Sequence, residues 1–151
     1  MPDEEQEERK RPGVAHEYRD DRITVYWSPQ YCIHTANCLT MQPGVFDAMR
    51  RPWIVLDEAD ADSIAEAVMT CPTGALTFER NDGGEQETPP EGTVVSPRPN
   101  GPLFLRGEIK VLDLRGEVVR EATRVALCRC GGSDNKPFCD GTHRRNGFRS
   151  G

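Results

Sequence analysis

The chain has 151 residues, six cysteines and a formal net charge of −6. The acidic balance argues against a nucleic-acid partner, and no apolar stretch is long enough for a membrane-spanning helix or placed as a signal peptide would be. We therefore expect a soluble cytoplasmic protein with no membrane partner, in a compartment that keeps its thiols reduced.

Cysteines and charges both divide the chain into two parts. Residues 1–97 contain 8 Lys and Arg against 19 Asp and Glu, a net charge of −11, whereas residues 98–151 contain 11 against 6, a net charge of +5. Each part has three cysteines: Cys32, Cys38 and Cys71 in the first, and Cys128, Cys130 and Cys139 in the second. Small units rarely bury enough apolar surface alone, so we expect each part to depend on a metal or cluster for folding.

The first predicted elements are a tail and a strand. Residues 1–18 are charged and contain almost no large apolar side chain, which predicts a disordered tail in which His16 is solvated. Apolar residues then alternate from Arg22 to Trp27, which predicts a β-strand ended by Ser28-Pro29.

The next predicted elements carry three cysteines. Cys32 and Cys38 lie in one loop after the strand. Apolar residues recur at helical spacing from Asp60 to Thr70, with acids near the start and a proline after the end, which predicts a helix. That helix would deliver Cys71 to the loop, and Leu76–Phe78 is predicted to form a short strand.

The spacing of these cysteines resembles that of bacterial ferredoxins, in which C-x2-C-x2-C is completed by a distant Cys-Pro. Cys32 and Cys38 match the outer positions, and Cys71-Pro72 matches the distant one. Residues 19–81 are therefore similar to a divergent, single-cluster ferredoxin-like domain. The resemblance implies an iron–sulfur cluster bound by Cys32, Cys38 and Cys71. Three buried structural cysteines are the alternative.

Thr35 occupies the position of the missing middle cysteine. Three thiolates can hold [3Fe–4S] without a fourth ligand, or [4Fe–4S] if another group or solvent binds the last iron. We expect [3Fe–4S] in protein isolated in air, with [4Fe–4S] as the alternative. His34 is next to the missing position but shifted by one residue, so it is either a ligand or a polar histidine near the cluster.

The second part begins after a segment rich in Gly, Pro and Glu. Residues 82–97 are predicted to form a linker, and residues 98–151 a second domain that opens with an ordered stretch from Arg98 to Pro102. Leu103–Leu114 and Glu117–Leu127 are rich in Val, Leu and Ile and flank Gly116, which predicts a β-hairpin. Its strands would carry the loop that follows.

Three thiols and one imidazole lie between Cys128 and His143. This donor set suits an iron–sulfur cluster or zinc. The glycines of the loop let backbone N–H groups approach sulfur, and Asp140 is placed to open a short helix that contains His143. A disulfide is disfavoured, because Cys128 and Cys130 are too close in sequence to bridge easily.

The same stretch resembles the CDGSH iron–sulfur domain family. Its pattern is matched by Cys128, Cys130, Ser133, Pro137, Cys139, Asp140, Gly141, Thr142 and His143, with Thr142 in place of the usual Ser. The resemblance implies a [2Fe–2S] cluster bound by Cys128, Cys130, Cys139 and His143. A zinc site with the same four ligands is the alternative.

Basic side chains flank these ligands in the sequence. They are Arg129, Lys136, Arg144, Arg145 and Arg149. A [2Fe–2S] core with three thiolates and a neutral imidazole is anionic, so we expect these cations to stabilise it.

Together the two parts predict an α+β protein with a ferredoxin-like domain followed by a small β-rich domain. The expected function is one-electron transfer by two clusters, without enzymatic chemistry, in exchange with a partner that is a reductase or another oxidoreductase. A redox or iron sensor, or a cluster donor, is a second hypothesis. A zinc-stapled interaction module is a third.

Overall fold

The computed structural model describes residues 16–150. The fold is α+β, as predicted, with two small antiparallel sheets of three strands each and few helices. The chain divides into two compact units. The first contains residues up to Cys71 together with Ala75–Glu87, and the second contains Thr88–Gly151 together with Pro72–Gly74.

The sheet of the first unit has the order β1-β2-β3. The strands are β1 (His16–Arg19), β2 (Ile23–Trp27) and β3 (Leu76–Arg80). Val25 of the central strand lies opposite a β1 residue and Phe78, and its side chain is fully buried. The predicted strands at Arg22–Trp27 and at Leu76–Phe78 are confirmed, the second with two additional residues.

The strand β1 includes residues that were predicted to belong to the disordered tail. Residues 1–15 of that tail lie outside the described residues, but His16 to Tyr18 belong to β1. His16 was expected to be solvated, yet it is 1 % exposed, with its ring 5.3 Å from that of Trp27. Alternate residues of a strand point to one face, so His16 and Tyr18 turn inward although their neighbours are charged.

Two helices complete the first unit: α1 (Asn37–Met41) and α2 (Ala61–Met69). Asp60 caps α2 by accepting a hydrogen bond from the Ser63 backbone N–H at 2.7 Å, which satisfies a donor that the helix start leaves free. The prediction of a helix here is confirmed. Its apolar face packs on the sheet in a core that contains Ile23, Val25, Val45, Phe46, Trp53, Ile54, Leu56, Ala61, Ile64, Ala65, Ala67, Val68 and Leu76.

The second unit is built on an antiparallel sheet of order β4-β5-β6. Its strands are β4 (Val94–Pro97), β5 (Leu103–Leu112) and β6 (Val118–Leu127). The predicted hairpin is confirmed, and Gly116 in its turn has φ of +84°, a conformation that suits glycine. The Arg98–Pro102 stretch is ordered, because the Arg98 N–H donates to the Pro102 carbonyl at 2.9 Å.

The strand β4 lies where the sequence predicted the end of the linker. Residues 94–97 were assigned to the linker, but they pair with Leu103–Arg106 of β5. All four side chains of β4 are exposed. An edge strand is held by its backbone ladder, so an apolar/polar alternation need not mark it in the sequence. In the part of the chain that the structure describes, no helix is long and apolar enough to cross a membrane.

Candidate metal centres

The end of β6 positions the ligand loop of the second unit. The loop starts at Cys128 and returns so that Phe138 pairs with Leu127. The Cys128 N–H donates to the Pro137 carbonyl at 2.8 Å, and the Cys139 N–H donates to the Ala126 carbonyl at 2.9 Å. These backbone bonds join both arms of the loop to the sheet, so Cys128 and Cys139 are carried by a rigid base.

The four predicted ligands of this loop come together as two pairs. The Sγ atoms of Cys128 and Cys130 are 3.8 Å apart, and Cys139 Sγ is 3.5 Å from His143 Nδ1. Two side chains bound to one tetrahedral metal atom, with bonds of about 2.3 Å to sulfur and about 2.1 Å to nitrogen, have donor atoms about 3.5–3.8 Å apart. Each pair is therefore spaced to share one metal atom, and the donor set fits a two-iron cluster.

A single metal ion makes a different demand, because all its ligands must surround one point. Among residues 16–150, no group of three or more His, Cys, Asp or Glu side chains is arranged to hold one metal ion.

Backbone donors support the sulfur atoms. The Gly132 N–H donates to Cys130 Sγ, and the Gly141 N–H donates to Cys139 Sγ, both at 3.4 Å. A β-carbon at Gly132 would lie 2.9 Å from Cγ2 of Thr142, so this approach requires glycine. Burial raises the pKa of the Cys139 thiol. At Cys128 burial also acts to raise the pKa, but backbone donors outweigh it and the pKa is lowered.

Asp140 and Ser133 hold the two ends of the loop together. Asp140 accepts hydrogen bonds from the Asp134 N–H at 2.9 Å, the Thr142 N–H at 3.0 Å and the Thr142 hydroxyl at 2.5 Å. These donors, the Thr142 hydroxyl first, lower the pKa of Asp140. The Ser133 hydroxyl donates to the Phe138 carbonyl at 2.5 Å. As predicted, a short helical turn, Thr142–Arg144, follows Asp140 and contains His143.

Arg129 lies between two predicted ligands in the sequence, but its side chain is directed toward another segment. Its guanidinium donates to the carbonyls of Gly101 at 2.7 Å and Arg98 at 2.5 Å, and to the Ser150 hydroxyl at 3.1 Å. A β-carbon at Gly101 would lie 3.6 Å from His143 Nε2. Arg129 thus ties a turn beside His143 to the ligand loop. Nothing in the spacing of these residues indicated this link, because it joins segments far apart in sequence.

The three cysteines of the first unit are carried by three different elements. Cys32 follows a single helical turn at Pro29–Tyr31, Cys38 lies in the first turn of α1, and Cys71 follows α2. Cys38 and Cys71 both pack against the core.

Asn37 holds two of these elements together. Its side-chain amide donates to the Thr70 carbonyl at 3.0 Å, which joins the start of α1 to the end of α2. This bond keeps the residue before Cys38 beside the residue before Cys71. The α2 helix therefore delivers Cys71 to the loop, as the sequence predicted.

The thiols of this group interact electrostatically. Burial, followed by the nearby thiols of Cys71 and Cys32, raises the pKa of Cys38 to about 11. The thiols of Cys32 and Cys71 are therefore near enough to Cys38 to influence its pKa, and metal binding would release the protons of such thiols.

The residues at the missing cysteine position have different surroundings. The Thr35 hydroxyl accepts a hydrogen bond from the Asn37 N–H at 3.5 Å. His34 is exposed, and its Nδ1 lies 3.7 Å from Cys32 Sγ. His34 and Ala36 both have left-handed backbones, with φ of +57° and +64°. The structure therefore brings His34, one residue before the position of the missing cysteine, beside a predicted ligand.

Fold, donor sets and loop geometry define an iron–sulfur protein. Residues 18–81 match the family model described as a divergent 4Fe-4S mono-cluster, and residues 100–144 match the model described as an iron-binding zinc finger of CDGSH type. The chain belongs to the divergent 4Fe–4S mono-cluster family, with a CDGSH-type iron-binding domain following in the same chain.

Two relatives match part of the chain. The uncharacterized protein YjdI of Escherichia coli (strain K12) is 36 % identical over 61 residues, which are 40 % of this chain and 80 % of the relative. The YjdI protein of Escherichia coli O157:H7 matches with the same identity and coverage.

Proposed function

We propose that this chain is a carrier of single electrons with two clusters and no substrate chemistry of its own. The ligands would be Cys128, Cys130, Cys139 and His143 for a [2Fe–2S] cluster, and Cys32, Cys38 and Cys71 for a [3Fe–4S] or [4Fe–4S] cluster. When bound, such clusters take up and release one electron. The observation that carries the proposal is the arrangement of the second ligand set in two pairs, at 3.8 and 3.5 Å.

The residues around the second site favour the added electron. The N–H groups of Gly132 and Gly141 point at ligand sulfurs, and such donors stabilise negative charge at a cluster. Arg129 lies between two of these residues in sequence, with its guanidinium held on the carbonyls of Gly101 and Arg98. The two N–H groups therefore contribute preorganised partial positive charge at the place where reduction adds negative charge.

The surface around this site favours an acidic partner protein. Cys128, Cys130 and His143 are half-buried, which leaves the cluster site close to solvent. The exposed cations near it are Lys136, Arg144, Arg145 and Arg149. We expect a reductase or another oxidoreductase to dock here through a complementary face. Six cysteine thiols suit a reducing compartment such as the cytoplasm.

The test combines composition with redox cycling. Protein purified without oxygen is analysed for iron and sulfide, and its clusters are followed by EPR during titration with a reductase. We expect both clusters to cycle reversibly. Lys136→Glu with Arg144→Glu should slow reduction of the second cluster by an acidic partner, whereas Lys110→Glu, whose Nζ lies 3.7 Å from Glu121, should not. If the rate of reduction of the second cluster is the same in wild type and in these variants, docking through this face is wrong.

A cluster donor is the second candidate, and the half-exposed ligand His143 favours it. A donor would lose its [2Fe–2S] cluster to an apo-acceptor faster than it passes electrons. Incubation with an apo-ferredoxin separates the two functions, since a carrier keeps its iron through repeated cycles. A colourless protein that contains zinc would instead support an interaction module.

A further inference from the structure

The dipeptide Asn-Gly occurs twice in the second unit, at Asn100-Gly101 and at Asn146-Gly147. In such a pair the backbone nitrogen of the glycine can attack the side-chain carbonyl of the asparagine, because glycine has no side chain to obstruct the approach. We propose that Asn146 is a site of spontaneous deamidation, and that the carboxylate formed there lowers the potential of the second cluster. The deamidation needs no cluster, whereas its effect on the potential rests on the proposed function.

The surroundings of Asn146 favour the attack. Asn146 and Gly147 are both exposed, shortly after the helical turn that contains His143. The Asn146 Oδ1 accepts a hydrogen bond from the Phe148 N–H at 3.1 Å, which folds the carboxamide back toward the Gly147 nitrogen and polarises its carbonyl. Within residues 16–150, the Gly147 N–H donates no hydrogen bond, and a β-carbon at Gly147 would meet nothing within 4 Å beyond its chain neighbours. The nitrogen and the carbonyl are therefore adjacent and open to water.

The other pair is held in a way that opposes the same reaction. The Gly101 N–H donates to the Arg98 carbonyl at 3.0 Å, and Gly101 is buried. The Asn100 Oδ1 accepts a hydrogen bond from the Ser150 N–H at 2.8 Å, so its carboxamide is directed toward a residue far along the chain. The Gly101 nitrogen would have to give up its hydrogen bond before it could attack, and such a buried group is costly to leave unpaired. The structure thus predicts different fates for two identical dipeptides.

The reaction at Asn146 consumes only water. The Gly147 nitrogen loses its proton to hydroxide and forms a bond to Asn146 Cγ, while the bond from Cγ to Nδ2 breaks and the Nδ2 group takes up a proton and leaves as ammonia. Water then opens the resulting cyclic imide at either carbonyl, which gives aspartate or isoaspartate. Both products carry a carboxylate in place of a neutral amide. Because the attacking nitrogen must lose a proton, the rate rises with pH.

The amide that is lost lies beside the ligand loop. A β-carbon at Gly132 would lie 2.8 Å from Asn146 Nδ2, and the Gly132 N–H donates to Cys130 Sγ at 3.4 Å. Hydrolysis to aspartate places a negatively charged oxygen where this nitrogen was, next to the backbone that supports a predicted ligand. A negative charge there opposes the uptake of an electron by the cluster, so the potential falls.

The first test follows the mass of two peptides. The full chain, reconstituted with iron and sulfide without oxygen, is kept in buffers of increasing pH, and proteolytic peptides are analysed by mass spectrometry. The peptide with Asn146 should become heavier by one mass unit several-fold faster than the peptide with Asn100, and faster as pH rises. Asn146→Gln should abolish the change at residue 146, because a longer side chain closes the ring far less readily. Equal rates at the two asparagines, or reaction at Asn100 alone, would overturn the inference.

The second test measures the potential of the second cluster by EPR-monitored titration. Asn146→Asp should have a lower potential than wild type, and Asn146→Gln the same potential as wild type. Arg115→Gln is the matched control, because it changes the net charge by the same amount at the hairpin turn, which the ten residues of β6 separate from the ligand loop. Its potential should not change. A wild-type potential in Asn146→Asp would overturn the effect on the cluster. A second unit without a cluster would overturn the proposed function and with it this effect, whereas deamidation is scored by mass in either case.

Discussion

The two candidate metal centres of this chain have similar predicted ligands but are assembled in different ways. In the second unit all four predicted ligands lie between Cys128 and His143, and backbone bonds of the same loop set their spacing. In the first unit the predicted ligands follow a helical turn, begin α1 and follow α2, so the packing of the whole unit brings them together. A local site depends on its loop, whereas a dispersed site depends on the core beneath it.

The largest expected effect tests whether the sites are independent. Cys139→Ser should remove the [2Fe–2S] cluster and leave the first site filled, and Cys71→Ser should do the reverse, because the ligand sets do not overlap. Iron and sulfide per chain, with EPR of the remaining cluster, measure the outcome. If either substitution empties both sites, the comparison between two separate centres is wrong.

The dispersed site should be sensitive to its core. Ile64 of α2 is fully buried, and Ile64→Ala should destabilise the first unit by about 2–5 kcal/mol. Loosening α2 displaces Cys71, so the first cluster should be lost faster while the second is unchanged. Urea unfolding followed by tryptophan fluorescence is selective, because Trp27 and Trp53 both lie in this unit.

A matched change in the second unit is the control for Ile64→Ala. Val111 on β5 is half-buried, and Val111→Ala should leave the tryptophan transition and the first cluster as in wild type. Equal loss of the first cluster in both variants would contradict a dependence on α2.

The local site should be sensitive to the tether on its loop. Arg129→Gln removes charged hydrogen bonds to the carbonyls of Gly101 and Arg98, each worth about 1–3 kcal/mol. The turn beside His143 then loosens, and transfer of iron from the second site to a chelator should be several-fold faster. Visible absorbance at fixed pH follows the loss. Lys136→Gln removes one positive charge without the tether, and an equal effect there would assign the result to charge alone.

The smallest effect concerns an acid at the edge of the first unit. At Asp20 burial raises the pKa, but hydrogen bonds from the Arg22 side chain and from the Arg22 and Ile23 backbones outweigh it, so the pKa is lowered. A lowered pKa stabilises the folded state above the unfolded value of about 3.9, and this stability is lost as pH falls through the lower folded value.

Asp20→Asn should therefore cost at most about 1 kcal/mol at pH 7 and flatten the fall in stability below about pH 4. Urea midpoints between pH 3 and pH 7 are the measurement. Asp21→Asn is the matched control at the next residue. If the urea midpoint of Asp20→Asn falls with decreasing pH as steeply as that of wild type, Asp20 does not contribute to acid sensitivity.

Patterns within one segment were sufficient for much of the fold. The β2 strand, α2 and the β5–β6 hairpin were predicted because the apolar periodicity and the turn residues that end each element lie in contiguous segments. The two cluster domains were predicted from the resemblance of their cysteine patterns to known families, and both family matches agree with that assignment. The four predicted ligands of the second site also lie in one short segment, but their arrangement in two pairs was seen only in the structure.

Contacts between distant segments could not be predicted from the sequence. The strands β1 and β4 form by pairing with β2 and β5. The charged or exposed residues at 16–19 and 94–97 therefore did not predict them. The tether from Arg129 to Gly101 and the link from Asn37 to Thr70 likewise join residues far apart. Sequence alone determined which atoms can bind iron, because that depends on residue type. Tertiary structure decided which of them meet, as at His34 and Cys32, because backbone hydrogen bonds and packing set side-chain direction.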